Sequence, residues 1–494
     1  MSEGCSGIQA VVPRDWRDDR IEELERQVAE RDRRIEQLCA HVEKLTARVA
    51  ALEDKLRKSS RNSSKPPSSD GPQAPARPKK PPSGRKPGGQ PGHARHERPM
   101  VPADEVNKRV VLKPHCCGEC GERLSGTDAT PHRHQVFEIP QVRPFVTEYE
   151  QHTLACPCGA VTAAELPEGV PTGSFGPSVT ALVALLTGVY RLSKRAVPEI
   201  LRDLFGLSMS VGAVIGCQKQ ASEALAVPYA LALQASLDEP VKHADETGWR
   251  EARGRAWLWV VVTASVTVFM VHLRRNTDAA RSLLVRASGV LVTDRHGAYN
   301  WWPGHMRQFC WAHLIRDFTA ISERGGDSER IGKALLSEAH RMFGWWHRVR
   351  DGTLARSSFT AYMRDLRRRV EDLLAEGAAC DQLKTAKTCK KLLGSVDSLW
   401  TFVRVPGVEP TNNVAERSVR HAVLWRRMCQ GTHSELGSRF VERILTTNAS
   451  LRQQGRNVLA FLRDACAARL RGSAPPSLIM TADQQCDLTA KLAA

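Results

Sequence analysis

The stretch AWLWVVVTASVTVFMVHL, residues 256–273, determines how the chain around it is interpreted. Valine and aromatic side chains dominate it, and this composition predicts two strands joined back to back. The segment HADETGW, residues 243–249, precedes it, and the buried-strand pattern GVLVTD, residues 289–294, follows it. A helical stretch from Thr277 to Ala287 lies between. The sequence therefore predicts a strand, a hairpin, a helix and a further strand, the front half of a ribonuclease-H-like core.

Three carboxylates fit a shared site on this core. Asp245 and Asp294 stand where the first and last of these apolar runs are expected to end, and Glu416 lies on the polar, helical segment TNNVAERSVR. Parallel strands are joined by crossovers, so Asp245 and Asp294 can be neighbours despite their separation in sequence. Any one acid alone is more often a solvated surface group, since the chain has 54 of them. Together they predict oxygen ligands for two Mg²⁺ ions that promote in-line phosphoryl transfer.

The motifs around these acids resemble those of the insertion-sequence-66 family of DDE transposases. They are HADETGWR, VTDRHGAY, CWAHLIRDF and TNNVAERSVR, with NSSKPPSSD and RKPGGQPGH nearer the start. The resemblance implies that Asp245, Asp294 and Glu416 match the metal-binding acids, with Mg²⁺ or Mn²⁺ as cofactor. Glu246 belongs to the motif but does not match a ligand. The implied activity is cutting of element ends and joining of the 3′-hydroxyl to target DNA, with accessory proteins of the same element as further partners.

Composition agrees with a DNA partner. The 494 residues carry a formal net charge of +17, which favours a polyanionic ligand. No basic segment followed by an apolar one opens the chain, so we expect a bacterial cytoplasmic protein associated with the nucleoid. Fourteen cysteines then indicate thiols and metal ligands instead of disulfides. The uncharged run between Arg255 and Arg274 is long enough to raise the question of a membrane span, but its β-branched residues favour a buried hairpin.

We expect a multidomain α+β/α/β protein in which an N-terminal coiled coil, a zinc-ribbon-like module and a helical DNA-binding region precede the catalytic core. The predicted segments are a coiled-coil helix (1–58), a basic Pro/Ser/Gly linker (59–100), a zinc-binding module (101–165), a helical region (166–235), the first part of the ribonuclease-H-like core (236–320), a helical insertion (321–405), the C-terminal part of the core (406–472) and a disordered tail (473–494).

A heptad repeat runs through the first of these segments. One apolar position of the repeat is filled by Ile21, Val28, Ile35, Val42, Val49 and Leu56, and the other by Leu24, Leu38, Leu45 and Leu52. Arg31 alone interrupts the second series. β-Branched residues at one position with Leu at the other favour a parallel homodimer. The alternative is an amphipathic helix packed within its own chain.

Cysteine and histidine cluster in residues 101–165. The best zinc quartet is Cys117, Cys120, Cys156 and Cys158, because zinc prefers four soft or borderline ligands. The long spacing and the C-x-C second pair leave His115, His152 and Cys116 as possible substitutes. Reduced thiols without metal are the alternative. The insertion-sequence-66 family, which this sequence resembles, also carries a zinc-finger-like module in this region.

Two regions keep two interpretations each. Residues 176–228 predict helices around a turn at Gly206, which fits either a helix-turn-helix that reads DNA or simple helical packing. The insertion is either extra packing or an arginine-rich lobe on flanking DNA.

Several single residues also carry predictions. Thr411 and Asn412 are candidate helix caps. Tyr299, Trp301 and Trp302 either stack on bases or close the core. Cys310 and His313 have metal-like spacing but make only half a site. The candidate phosphate contacts are Arg420, Arg426 and Arg427, with Arg420 one turn from Glu416.

Three functions are compatible with these sequence features. The first is a DNA transposase. The second is a DNA-binding, zinc-containing dimer with an inactive core. The third is a nuclease of the same fold that hydrolyses DNA without joining it.

Overall fold

The computed structural model describes residues 16–56, 58–63, 92–93 and 98–481. Most of the predicted linker, 59–100, and residues 482–494 of the predicted tail lie outside the described residues. The chain divides into two compact units. Unit 1 contains Met1–Ala74 and Ala232–His433, and unit 2 contains Pro75–Leu231 and Ser434–Ala494.

The described residues form seven strands and fourteen α-helices. In the described part of the chain the strands are β1 Thr153–Ala155, β2 Val161–Ala163, β3 Val241–Glu251, β4 Gly254–Val262, β5 Thr267–His272, β6 Val290–Thr293 and β7 Arg307–Phe309. The α-helices of the same residues are α1 Trp16–Leu56, α2 Pro177–Ala184, α3 Ala196–Phe205, α4 Val211–Ala224, α5 Ala226–Asp238, α6 Thr277–Leu284, α7 Trp311–Ser322, α8 Gly326–Arg350, α9 Arg356–Ala379, α10 Leu383–Leu393, α11 Thr401–Arg404, α12 Asn413–Cys429, α13 Glu435–Gln453 and α14 Val458–Leu470.

The five-stranded sheet of unit 1 has the order β5-β4-β3-β6-β7. Strands β3, β4 and β5 are antiparallel, whereas β6 pairs in parallel with both β3 and β7. The predicted hairpin is confirmed as β4 and β5, and Leu258, Trp259 and Val260 of β4 are fully buried. A strand with apolar side chains on both faces must be covered on both. None of the described helices is long and apolar enough to cross a bilayer.

The predicted strand end at Asp245 is wrong. Strand β3 continues to Glu251, because residues 243–251 pair with β4 in the antiparallel hairpin. What ends near Asp245 is the parallel pairing with β6, whose last pair is His243 with Val292. The prediction for Asp294 is confirmed, since it directly follows β6.

The predicted insertion is helical, as expected, and packs around its own core. Helices α8, α9 and α10 bury apolar residues such as Leu335, Leu366 and Leu392. Arginines of α9 are paired with acids: Arg368 donates to Asp365 at 2.9 Å, and Arg369 donates to Glu338 at 3.0 Å. The Arg369 bond joins α9 to α8, which favours packing, whereas Arg368 stays exposed with its partner on the same helix.

Unit 2 contains a helical bundle in which α2, α4, α13 and α14 pack together. The predicted turn after α3 is present, with Gly206 at φ +66°. Helix α4 buries Val214 and Cys217 in this bundle, which favours the packing interpretation of the predicted helix-turn-helix. Residues 406–472, predicted as one part of the core, are divided between the two units at residue 433. The disordered tail is wrong for residues 473–481, because Leu478 is fully buried and its carbonyl accepts from Gln454 Nε2 at 2.7 Å.

Residues 98–165 of unit 2 form a different kind of structure. Strands β1 and β2 make an antiparallel pair, and the rest is extended or turn. No residue between 98 and 165 is buried. Phe145 is 95% exposed and Ile139 is 85% exposed. This segment therefore has no hydrophobic core of its own within the described residues.

Candidate active site

Asp245 lies on β3, the central strand of the five-stranded sheet. Its Oδ1 accepts from the backbone N–H of Glu246 at 2.9 Å. Burial raises the pKa of the Asp245 carboxyl well above its usual range, and the negative charges of Glu246, Asp294 and Glu416 raise it further. The three predicted acids are thus electrostatically coupled, although Glu416 is far away in sequence. A cation beside them would relieve this repulsion.

Asp294 follows β6, at the edge of the sheet where the parallel strands end. Its Oδ1 accepts from the backbone N–H of His296 at 2.8 Å. The buried Arg307 on β7 donates to the carbonyl oxygens of Asp294, at 3.0 Å, and of His296, at 3.3 Å. Burial lowers the pKa of Arg307 to about 10, and the charge of Asp294 opposes this shift. Arg307 therefore fixes the backbone on which Asp294 stands.

Glu416 lies in the first turn of α12, and Asn412 anchors that helix to the sheet. Asn412 Nδ2 donates to the carbonyl of Ala244 at 2.8 Å, and its Oδ1 lies 3.3 Å from His243 Nδ1. The backbone N–H of Asn412 also reaches Cys310 Sγ at 3.2 Å. The predicted cap is wrong for Asn412, whose side chain makes no capping bond. Its amide is used to hold α12 beside the residue before Asp245.

In the described structure the carboxylate oxygens of Asp245, Asp294 and Glu416 do not form one group within 4.8 Å. Among the described residues, the group whose ligand atoms all lie within 4.8 Å of one another is Cys310, His313 and Glu416. His313 Nδ1 lies 3.5 Å from Glu416 Oε1. Oxygens on opposite sides of two ions about 4 Å apart can be about 8 Å from each other. A wider spacing of the acids is therefore compatible with a two-ion site, and their oxygen donors suit Mg²⁺ or Mn²⁺.

Glu246 lies beside the acids and has a structural role. Its side chain is 1% exposed, accepts from Tyr299 Oη at 2.5 Å and pairs with Arg275 Nη2 at 2.7 Å. Tyr299 is buried, so the prediction that it stacks on bases is wrong and the prediction that it closes the core is confirmed. Trp302 is also buried, and its Nε1 donates to Gly289 O at 3.3 Å. The Tyr299 bond fixes the turn after Asp294 against β3, and the Trp302 bond ties it to the residue before β6.

The candidate phosphate contacts differ in their surroundings. Arg420 and Arg427 are exposed on α12. Arg426 donates to the carbonyl of Gly248, and burial lowers its pKa. Arg426 also lines an open cleft of about 390 Å³ with Arg250 and other residues of the β3–β4 hairpin. Glu416 Oε1 faces His313 Nδ1 at 3.5 Å without a hydrogen bond between them.

The four candidate zinc ligands form two close pairs. Cys117 and Cys120 share a hydrogen bond that, after backbone N–H groups, lowers the pKa of Cys117. Cys156 similarly helps to lower the pKa of Cys158, after the backbone of Ala160. The four thiols do not form one group within 4.8 Å among the described residues. Four thiol ligands fit zinc. The pair Cys156 and Cys158 must approach the pair Cys117 and Cys120 to complete one site.

Sequence reasoning missed Arg307 and Asn412 as positioning residues and set Cys310 and His313 aside as half a site. Arg307 stands in the apolar-flanked segment MRQFC, where a buried charge signals a partner. Asn412 had no comparable sequence pattern, because its role depends on Ala244 far away in the chain.

Comparison with protein families gives two matches. Residues 172–439, just over half of the chain, match the model of the Transposase IS66 family. Residues 13–99 match a family of unknown function (DUF6444). A search of curated proteins finds no match.

Proposed function

The chain belongs to the IS66 family of transposases, and from that premise we propose that Asp245, Asp294 and Glu416 catalyse DNA cutting and strand transfer. The observation that carries this proposal is the placement of the acids: Asp245 is buried on the central strand, and Asp294 and Glu416 lie near enough for their charges to add to the effect of burial and raise its pKa. The strand order and directions of the unit 1 sheet support a ribonuclease-H-like core for these acids.

The chain's own residues supply position and charge to this reaction. Asp245 is fixed by β3, Asp294 by Arg307, and Glu416 by the Asn412 bond to Ala244. Two Mg²⁺ or Mn²⁺ ions, when bound by these acids, would stabilise the attacking and leaving oxygens. Water attacks the phosphodiester at the element end and the P–O3′ bond breaks, which frees a 3′-hydroxyl. That hydroxyl then attacks a phosphodiester of target DNA in the same in-line geometry, so that a new P–O3′ bond forms as the target's own P–O3′ bond breaks and its 3′-oxygen leaves with a proton.

The test supplies candidate element ends and Mg²⁺ to the full chain and resolves cut and joined products by sequencing. We expect Asp245→Asn and Glu416→Gln to lose cleavage by more than about a thousandfold while end binding persists, because each removes a ligand charge worth several kcal/mol. Asp365→Asn is the matched control, since it neutralises an exposed acid of the same unit that pairs with Arg368, away from the three acids in sequence and in fold.

Three outcomes separate the candidate functions. Loss of cutting and joining in both variants supports the transposase. Cutting without joined product by the unaltered chain supports a purely hydrolytic nuclease. Equal cleavage by Asp245→Asn and the unaltered chain contradicts the proposed site.

We further propose that α1 forms a parallel homodimer. Its ten predicted core residues are all exposed, from 45% for Leu24 to 86% for Leu56. An uncovered apolar stripe of this length favours association with a second copy. Two copies would bring two catalytic sites to two element ends.

We also propose structural zinc on Cys117, Cys120, Cys156 and Cys158. The support is the pairing of the thiols and the lack of any buried residue from 98 to 165. A segment without a core needs another source of stability, and a structural metal supplies it.

A further inference from the structure

The cluster of Cys310, His313 and Glu416 joins the starts of two helices of unit 1. Cys310 is the residue before α7 and is buried, His313 lies in the first turn of α7, and Glu416 lies in the first turn of α12. Their ligand atoms lie within 4.8 Å of one another. A thiol, an imidazole and a carboxylate thus meet at one point.

Two of these ligand atoms are buried without a partner. His313 Nδ1 and Glu416 Oε1 are enclosed and have no hydrogen bond among the described residues. They face each other at 3.5 Å. Enclosed polar atoms are normally paired, because leaving them without water or a partner is costly. An ion between them satisfies both atoms.

We propose that Cys310, His313 and Glu416 bind a borderline transition-metal ion of the Zn²⁺ type. This second metal site has Glu416 in common with the proposed Mg²⁺ site. Two ligands about 2.1 Å from a tetrahedral ion lie about 3.4 Å apart, close to the separation of His313 Nδ1 and Glu416 Oε1. The thiolate excludes Mg²⁺ as the preferred ion, since Mg²⁺ takes oxygen ligands. Three protein ligands leave the fourth position to water.

The surroundings of Cys310 prepare it for this role. The backbone N–H of Asn412 donates to Cys310 Sγ at 3.2 Å, as a hydrogen bond to a metal-bound thiolate does. Ion binding releases the thiol proton to solvent. Nδ1 coordination places the imidazole proton on Nε2, which lies 3.4 Å from Arg316 Nη1. The Arg316 side chain must therefore turn away when the site fills.

Filling this site has a consequence that rests on the proposed function. Glu416 Oε1 already lies at ligand spacing from His313, so an ion bound there takes one of the two Glu416 carboxylate oxygens away from the proposed Mg²⁺ site. Zn²⁺ at this site therefore inhibits Mg²⁺-dependent cleavage.

The test is a Co²⁺ titration of the full chain without DNA, following the thiolate-to-cobalt absorption and the number of ions bound. We expect Cys310→Ser and His313→Gln each to lose one equivalent of tightly bound Co²⁺ and its share of the thiolate band. Cys466→Ser is the matched control, because Cys466 is a buried thiol on α14 outside the cluster. Circular dichroism of each variant identifies any that fails to fold, and Glu416→Gln then provides a third, partly exposed position to test.

Unchanged binding in folded Cys310→Ser or His313→Gln overturns the proposal, whatever the protein does to DNA. The second arm measures cleavage in Mg²⁺ with rising Zn²⁺, each variant relative to its own zinc-free rate. We expect Cys310→Ser to need at least about tenfold more Zn²⁺ for half inhibition than the unaltered chain, since ligand-shell changes cost affinity on this scale. An unaltered chain that binds Co²⁺ through Cys310 but cleaves no DNA leaves the metal site intact and counts against the proposed function alone.

Discussion

The sheet around Asp245 and the segment 98–165 both carry predicted metal ligands, but they hold them differently. Around Asp245 the supporting residues are buried, and Asn412, Arg307 and Tyr299 each bond to a neighbouring element. From 98 to 165 no residue is buried, and the two cysteine pairs stand on separate turns. One region has a core that positions its ligands, and the other has only a short strand pair and backbone turns.

This difference predicts how far the folding of each region depends on its metal. The acids of unit 1 are placed by packing, so removing the ions should leave their elements folded. The cysteine segment lacks apolar burial, so its order should depend on zinc. Metal removal therefore separates the two regions directly.

The largest effect is expected in the cysteine segment. Cys117→Ser should reduce bound zinc at this site from about one equivalent to nearly none, because three ligands seldom hold a structural zinc. The loss should increase proteolysis and hydrogen exchange across residues 98–165. Elemental analysis and exchange mass spectrometry measure both changes.

Cys116→Ser is the control for this experiment, since Cys116 is adjacent in sequence and exposed. Zinc retained by Cys116→Ser and lost by Cys117→Ser supports the proposed quartet. The reverse result identifies Cys116 as the ligand. Slow exchange in metal-free protein would contradict the contrast between the regions.

The next effect concerns α1, another segment with an uncovered apolar surface. Leu38→Glu should convert the full chain from dimer to monomer at micromolar concentration. Each buried Leu contributes about 2 kcal/mol, so two copies lose about 4 kcal/mol and bind roughly a thousandfold more weakly. Light scattering measures the mass. Glu36→Gln, off the apolar stripe, should remain dimeric, and a dimeric Leu38→Glu protein would refute the proposed interface.

The sequence predicted those parts of the fold whose pattern is local. The hairpin of residues 256–273 was identifiable from its β-branched run, and Asp294 from the short buried strand before it. The helical insertion was identifiable from its periodicity. In each case the residues that determine the element lie within it.

The remaining features depend on contacts between distant residues. Asp245 was expected at a strand end, because sequence does not reveal that β3 continues beside β4 after leaving β6. Asn412 was expected to cap a helix, which is the usual local role of its residue type. Glu416, the third residue of the proposed site with Cys310 and His313, lies beside His313 only in the folded chain.

Asn412→Ala tests whether packing positions Glu416. The change removes the bond to Ala244 and leaves buried polar groups without partners, which should lower the free energy of unfolding by about 3 kcal/mol. We expect cleavage to fall while end binding persists. Denaturant titration and cleavage kinetics measure these effects. Asn413→Ala is the matched control, because Asn413 is the exposed neighbour. Equal stability of the two variants would show that α12 is held by other contacts.

The smallest effect is a pH dependence at His243. Burial lowers its pKa to about 4, and the contact with Asn412 opposes this shift. Because the folded pKa is below the unfolded value of about 6.5, the unfolded chain binds the proton more readily. The contribution of His243 to stability is therefore complete above about pH 6.5 and is lost as the pH falls toward 4. At pH 5 the loss is about 2 kcal/mol.

His243→Gln isolates this contribution, because glutamine does not titrate. Asp245, with its raised pKa, acts in the opposite direction in metal-free protein, since its folded form binds a proton more readily. The informative quantity is therefore the difference in unfolding free energy between the two proteins, measured with chelator from pH 7 to pH 4.5. We expect the advantage of the unaltered chain over His243→Gln to shrink steadily below pH 6.5. A constant difference would mean that His243 is not kept neutral by burial, and that the sheet beside Asp245 is more open to water than its packing indicates.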